Sequence, residues 1–263
     1  MRKRYTIEER RSAILNMLHT EGRVYVTALA ETFGVSEVSI RKDLALLEER
    51  QLLVRTKGGA IALHQSDVYD DLSISRKQRL HAREKQLIGE YAASLIKDGD
   101  TIILDSGTTT MEVAKHLDGI RNLTAITNAQ DIAITLNNYN RFTVIVLGGT
   151  MRSVSHSTVG MPGEASLKGM YCDKLFLGVD SISIKDGLST PSLEEASLNQ
   201  AMIGAAKEVI AVFDSSKFGR RTFAHIASLD KITTIVTDSH IPPEFRDYIE
   251  KSHIVLHTVD IDQ

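Results

Sequence analysis

The sequence predicts an α/β protein in two parts: three short helices and a hairpin at the amino terminus, then an open parallel sheet covered by helices. Three observations predict it. Residues 1–63 carry apolar residues at helical spacing, interrupted at Gly22 and Gly34. From residue 87 onward, short apolar runs alternate with helical stretches, the pattern of a parallel sheet. Charge divides at the same place. Residues 1–63 hold 11 Lys and Arg against 8 Asp and Glu, and the remaining 200 hold 20 against 26. A basic head on an acidic body suits a nucleic-acid-binding module attached to something that does not touch nucleic acid.

The 263 residues accommodate two domains, and a hydrophobic fraction of 42% allows a sizeable core. The basic start Met1-Arg2-Lys3-Arg4-Tyr5 leads into the charged Glu8-Glu9-Arg10-Arg11 rather than an apolar stretch, so no secretory leader is expected. No apolar run approaches the ~20 residues that span a bilayer. The single cysteine, Cys172, excludes an internal disulfide and is expected in the core of a cytoplasmic protein.

In the head, Thr6 and Glu9 have capping-box spacing, and Ile14, Leu15 and Leu18 give one apolar face before Gly22. A second helix runs from about Thr27 to Phe33, burying Leu29, Ala30 and Phe33. A third starts at the N-cap Ser36 and reaches about Arg50, with Val38, Ile40, Leu44 and Leu47 pointing inward. Phe33-Gly34-Val35-Ser36 then forms the tight turn of a helix-turn-helix over about residues 23–42. The recognition helix offers Glu37, Ser39, Arg41 and Lys42 at the end that enters a major groove. Arginine pairs with guanine through two hydrogen bonds, and lysine and serine hold phosphates. The plainer alternative is a three-helix bundle with a solvated polar face. The segment after the third helix favours DNA: Leu52–Arg55 reads as a strand, Thr56–Gly59 as a turn and Ala60–Leu63 as a return strand. That hairpin is a wing placing Arg55 and Lys57 against DNA backbone or minor groove. The expected DNA contacts are Ser36, Ser39, Arg41, Lys42, Arg55 and Lys57.

Residues 64–86 are polar and read as a linker with an exposed helical start; the cluster Arg76-Lys77-Gln78-Arg79 is expected to be a solvated face. Residues 87–263 form the second domain. A helix carrying Leu87, Tyr91, Leu95 and Ile96 ends at Asp98-Gly99. Strands are expected at Thr101–Leu104, Leu123–Thr127, Phe142–Leu147, Leu175–Val179, Val209–Phe213 and Ile232–Thr237. Ligands of open parallel sheets sit beyond the carboxyl ends of the strands. The loops there are Asp105-Ser106-Gly107-Thr108-Thr109-Thr110, Thr127-Asn128, Gly148-Gly149-Thr150-Met151-Arg152, Gly178-Val179-Asp180 and Asp214-Ser215-Ser216-Lys217. The first is an anion cradle made of hydroxyls and a helix N-terminus. Arg152 and Lys217 suit a doubly charged phosphate, and Asp180 and Asn128 suit sugar hydroxyls. Each loop alone is a common cap or turn; their convergence at one sheet edge makes the pocket.

Other candidates fall away. His116, His156, His225, His240, His253 and His257 lack metal-ligand spacing, so no metal is expected. Ser155-His156-Ser157 has no nucleophile-elbow context, and Gly107 lacks the Gly-Lys-Ser that a nucleotide-binding loop needs.

Glu9-Arg10-Arg11, Ala30-Glu31-x-Phe33-x-Val35-Ser36, Ile40-Arg41-Lys42-Asp43-Leu44 and Gly58-Gly59-Ala60 resemble the amino-terminal signature of the DeoR family of bacterial transcriptional regulators. Asp98-Gly99-Asp100-x-Ile102, Asp105-Ser106-Gly107-Thr108-Thr109, Thr127-Asn128, Leu147-Gly148-Gly149, Gly160, Gly187-Leu188, Glu195 and Asp214-x-Ser216-Lys217-Phe218 resemble that family's sensor domain, so the resemblance covers nearly the whole chain. It implies a sensor fold like that of ribose-5-phosphate isomerase, with phosphate held by Ser106–Thr110 and with Asp180, Glu195 and Lys217 at positions near the isomerase active site. It further implies a repressor of a carbohydrate-utilisation operon, a homodimer or homotetramer without a cofactor, released from operator DNA by a phosphorylated sugar. This chain departs from the family pattern in having Lys42 for an arginine, Lys57 for a histidine and Asn199 for a lysine. The alternative is an enzyme: a sugar-phosphate isomerase with an accessory DNA-binding head, drawing an acid–base pair from Asp180, Glu195 and Lys217.

Overall fold

The computed structural model describes residues 5–21, 23–49, 53–62 and 73–261. The chain divides into two compact units, Met1–Val68 and Tyr69–Gln263.

Unit 1 runs α1 (Ile7–Glu21), β1 (Arg23–Tyr25), α2 (Val26–Phe33), α3 (Glu37–Glu49), β2 (Leu53–Thr56) and β3 (Gly59–Ala62). The capping box forms at α1: the Thr6 amide donates to Glu9 Oε2 at 2.9 Å and the Glu9 amide to Thr6 Oγ1 at 3.2 Å. Gly34 ends α2 in the left-handed conformation (φ 64°). Ser36 caps α3, its Oγ accepting from the Ser39 amide at 3.2 Å. Ile14, Leu18, Leu29, Ile40, Leu44 and Leu47 form the core. Val38 was expected among them but is 59% exposed. Two residues advance a helix by about 200°, so Val38 lies opposite the stripe that Ile40 begins. The three-residue β1, not foreseen from its length, pairs antiparallel with β3 and gives the order β1-β3-β2. A Cβ on Gly59 would lie 1.9 Å from Val24 O, so glycine is what lets β1 approach. Asp43 of α3 is buried, and Arg10 and Arg11 of α1 donate to its two oxygens at 2.6 and 2.9 Å.

Unit 2 begins with α4 (Ile74–Arg79) and α5 (Ala82–Ala93). There follow β4 (Thr101–Leu104), α6 (Thr108–Lys115), β5 (Leu123–Thr127), α7 (Gln130–Asn137) and β6 (Phe142–Val146). A hairpin of β7 (Thr150–Arg152) and β8 (Ser157–Val159) precedes α8 (Met161–Leu167), β9 (Cys172–Gly178), β10 (Ser181–Ser183) and β11 (Gly187–Thr190). The chain continues through α9 (Leu193–Ala205), β12 (Ala206–Val212), β13 (Ala224–Ala227), β14 (Thr234–Asp238), α10 (Pro243–Glu250) and β15 (Val255–Val259). Seven parallel strands lie in the order β15-β14-β12-β9-β4-β5-β6. The chain winds from β4 out to β6, then returns to place β9 on the other side of β4. Strand alternation splits the core: Ile103, Leu175 and Leu177 face one layer, Ile102, Leu104 and Phe176 the other. Cys172 is buried in β9, where burial raises its thiol pKa.

The stretch expected to be a linker is helical from Ile74 onward, because Ile74 is buried and its amide donates to Val154 O at 2.8 Å. Residues 64–72, with Gly22, Arg50, Leu52 and Leu63, lie outside the described residues. Among the described residues no helix is long and apolar enough to cross a membrane.

Candidate functional site

The exposed end of α3 and the wing carry the expected DNA contacts. Arg41 is exposed and paired with Glu37 at 2.7 Å, one helical turn back. The Ser36 and Ser39 hydroxyls lie 3.0 Å apart, so both are engaged in the cap. The Arg55 guanidinium lies 3.8 Å from Glu48. Lys42 and Lys57 are exposed, and their side chains make no hydrogen bond or ion pair among the described residues. Val38, expected inside from its residue type, adds an apolar patch to the same exposed end.

In unit 2 the strand order reverses between β4 and β9, and the loops following them meet there. Open sheets bind ligands at this point. Asp105, directly after β4, is buried; burial and then the charge of Glu195 push its pKa up to about 8, against a hydrogen bond from Asn199. Asn199 thus stands against Asp105. Gly107 opens α6, and the hydroxyls of Ser106, Thr108 and Thr109 make no hydrogen bond among the described residues. The Thr110 hydroxyl is spent on Gly107 O at 3.0 Å.

Across from this cradle, Lys77 Nζ donates to Asp180 Oδ1 at 2.8 Å. The Thr190 hydroxyl is within hydrogen-bond reach of both Asp180 (3.3 Å) and Glu195 (3.0 Å). Arg152 forms an ion pair with Glu195. Burial works to raise the Asp180 pKa, but Lys77 and Lys217 outweigh it and hold the carboxyl below its ordinary value. Asp214 behaves likewise: burial is outweighed by Lys217, by a hydrogen bond from Ser216 and by the charges of His81 and Lys85. Lys85 is buried and donates to Lys77 O at 2.7 Å and to Leu80 O; burial pushes its pKa down to about 8. The Lys217 side chain makes no hydrogen bond or ion pair among the described residues. Lys77, Lys85, Arg152 and Lys217 therefore stand among Asp105, Asp180, Glu195 and Asp214, and of the three aspartates only Asp105 is pushed toward its neutral form, whereas Asp180 and Asp214 are held toward their charged form.

Some of the expected ligand contacts also make contacts within the scaffold. Thr127 Oγ1 accepts from the Ala129 amide at 3.1 Å, and Asn128 Nδ2 donates to Thr158 O at 3.0 Å. Asn128 Oδ1 is buried without a hydrogen-bond partner among the described residues. A Cβ on Gly149 would lie 2.2 Å from Val159 O, so this glycine allows the close approach at the open end of the β7–β8 hairpin; a Cβ on Gly148 would meet nothing within 4 Å. Sequence reasoning missed Lys77, Lys85 and Thr190. Lys85 did leave a signal: with Ile88 and Ala92 it completes the buried stripe of α5, an unusual place for a lysine. Among the described residues no group of His, Cys, Asp and Glu could hold a metal.

Residues 10–66 match the DeoR-like helix-turn-helix domain, and residues 80–239 match the DeoR C terminal sensor domain. Relatives include the HTH-type transcriptional repressor GlcR of Bacillus subtilis, 34% identical over 258 residues, 97% of this chain and 98% of that protein. Another is the transcriptional repressor AccR of Agrobacterium fabrum, 36% identical over 233 residues, 88% of this chain and 90% of that protein. A ribose 5-phosphate isomerase A from Methanocaldococcus jannaschii aligns with a TM-score of 0.40 at 17% identity, over 54% of this chain and 56% of that one. The chain belongs to the DeoR family of DNA-binding transcriptional regulators.

Proposed function

We propose that this protein is a cytoplasmic, homo-oligomeric repressor of a carbohydrate-utilisation operon, released from its operator when a phosphorylated sugar binds at the β4–β9 switch point. One observation carries the effector reading: the Ser106, Thr108 and Thr109 hydroxyls at the start of α6 share a sheet edge with Lys217, and none of the four makes a side-chain hydrogen bond among the described residues. Free backbone amides and hydroxyls at a helix start take an anion, and a lysine opposite supplies charge. Asp180 and Glu195 accept from sugar hydroxyls, and protonated Asp105 donates.

On the DNA side, Lys42 and Lys57 are free for phosphates, Arg41 exchanges Glu37 for a guanine, and Val38 meets a thymine methyl. The names of the relatives support repression as the direction of control. Release requires that the sugar phosphate prefer the DNA-free state; a 100-fold preference supplies about 2.7 kcal/mol.

The test is binding of the full chain to its own upstream region and to random DNA across salt concentrations, with and without sugar phosphates. The expected result is a preference for the upstream region, steep weakening with salt, and release on adding the right sugar phosphate. Equal affinity for both DNAs refutes the reading. Turnover of ribose 5-phosphate would instead support the isomerase alternative.

A further inference from the structure

We propose that Lys77, carried on α4, contacts the bound effector and couples pocket occupancy to α4, the helix by which the chain arrives from the DNA-binding unit. The inference rests on the effector reading above. It concerns a residue outside the loops expected to form the pocket.

α4 is the first described element of unit 2, and residues 63–73 join it covalently to β3. It has six residues, of which Ile74 alone is buried, so its apolar anchoring is small. Polar contacts hold it instead. The Ile74 amide donates to Val154 O at 2.8 Å, Lys77 Nζ to Asp180 Oδ1 at 2.8 Å, and Lys85 Nζ to Lys77 O at 2.7 Å. Two of these contacts lead directly to pocket segments. Val154 stands in the turn between β7 and β8, two residues after Arg152, and Asp180 lies just beyond the end of β9, near enough to Asp105 for its charge to act there.

The neighbouring basic residues on α4 show that Lys77 is different in kind. Arg76 and Arg79 are exposed, whereas the Lys77 side chain is 25% exposed and turned onto a carboxylate 103 residues away. Asp180 feels the charge of both Lys77, which is hydrogen-bonded to it, and Lys217. An anion placed between these cations gives Lys77 a second negative partner, and charge-assisted hydrogen bonds are about twice as strong as neutral ones. Occupancy then holds α4 more firmly, through the same side chain that recognises the phosphate. A neutral sugar offers Lys77 no such partner, so the residue also selects phosphorylated ligands over unphosphorylated ones.

The experiment uses the full-length chain as wild type, Lys77→Met and Lys77→Arg. Binding of inorganic phosphate, ribose 5-phosphate, fructose 6-phosphate and glucosamine 6-phosphate is measured by calorimetry. Hydrogen exchange is followed on the peptide that contains residues 74–80. For the phosphate compound the wild type binds best, Lys77→Met is expected to lose about tenfold or more in affinity, and Lys77→Arg to stay within about threefold. Saturation of the wild type is expected to slow exchange in α4 by about threefold or more, and saturation of Lys77→Met to leave it unchanged. Wild-type affinity in Lys77→Met, or α4 exchange that does not respond to ligand in the wild type, overturns the inference while leaving the effector site standing. If the wild type binds none of the four compounds, the effector reading itself fails and this inference fails with it.

Discussion

Replacing Asp105 with asparagine should remove a pH dependence of stability that the wild-type fold carries between about pH 4 and pH 8. Asp105 is 5% exposed, and burial and then Glu195 push its pKa from 3.8 up to about 8. The folded chain therefore keeps a proton that the unfolded chain releases near pH 4. Where the unfolded state binds fewer protons than the folded state, stability falls as pH rises. The loss starts as pH passes the unfolded value and is complete once it passes the folded one. At about 1.4 kcal/mol per pKa unit the window integrates to about 6 kcal/mol, with about 4 kcal/mol lost by pH 7.

Asparagine keeps the shape, retains Asn199 as a neighbour and has no proton to lose. Thermal melts of both proteins between pH 5 and pH 8 isolate the effect, because every other titrating group is shared. With about 2–4 °C per kcal/mol for a unit of this size, the melting temperature of Asp105→Asn should gain about 7–14 °C on the wild type across that range. Parallel curves would refute a protonated Asp105. Lys85 acts in a different window: its depressed pKa of about 8 means that the cost of burying its charge is relieved only as pH rises from about 8 toward 10.5. The lowered pKa values of Asp180 and Asp214 act at the acid end, where their stabilisation is lost as pH falls below the ordinary carboxylate value.

Asp43→Asn should weaken the buried pairing with both Arg10 and Arg11 and cost unit 1 about 3–5 kcal/mol, lowering the unit 1 transition in calorimetry and leaving that of unit 2 in place. Gly59→Ala places a methyl on Val24 O and should separate β1 from β3; loss of DNA binding with sugar-phosphate binding intact is the expected readout. Lys217→Ala should weaken sugar-phosphate binding by about tenfold or more and give a protein that stays on DNA at effector concentrations that release the wild type, read by anisotropy on the same fragment.

The regular frame was legible in the sequence because its signals are local. Gly34 and Ser36 bracket the turn before α3, and six of the seven strands of the parallel sheet are short apolar runs bounded by loop residues. The seventh, β15, reads Val-Leu-His-Thr-Val, an edge strand whose polar residues hide it from an apolar-run criterion. Val38 shows how residue type misleads where angle decides, since its valine looks like core and its helical position is not. The pocket was legible in its loops but not in its pairings. Lys77 and Asp180 are separated by 103 residues, and no periodicity relates them. Thr127, Asn128 and Gly149 look like ligand contacts from their loop positions, whereas their hydrogen bonds and close approaches tie the loops together.

The charge inventory of the pocket bears on when it should accept an anion. Arg152 is engaged by Glu195, Lys77 by Asp180 and Lys85 by backbone carbonyls, so an incoming anion meets Lys217 without displacing a side-chain hydrogen bond and meets Lys77 as a second partner beside Asp180. Ionisation of Asp105 would add a negative charge to the pocket beside the α6 cradle. Sugar phosphates become dianions above about pH 6, the second pKa of a phosphate monoester. The proposed effector should therefore bind most tightly between about pH 6 and pH 8, and more weakly as Asp105 ionises above about pH 8. Lys85 loses its proton in the same range and acts in the same direction, so the variant is needed to separate the two. Calorimetric titrations at pH 6, 7, 8 and 9 should show a shallower alkaline loss of affinity for Asp105→Asn than for the wild type. Identical pH profiles in the two proteins would mean that Asp105 is either already ionised or too far from the ligand to matter.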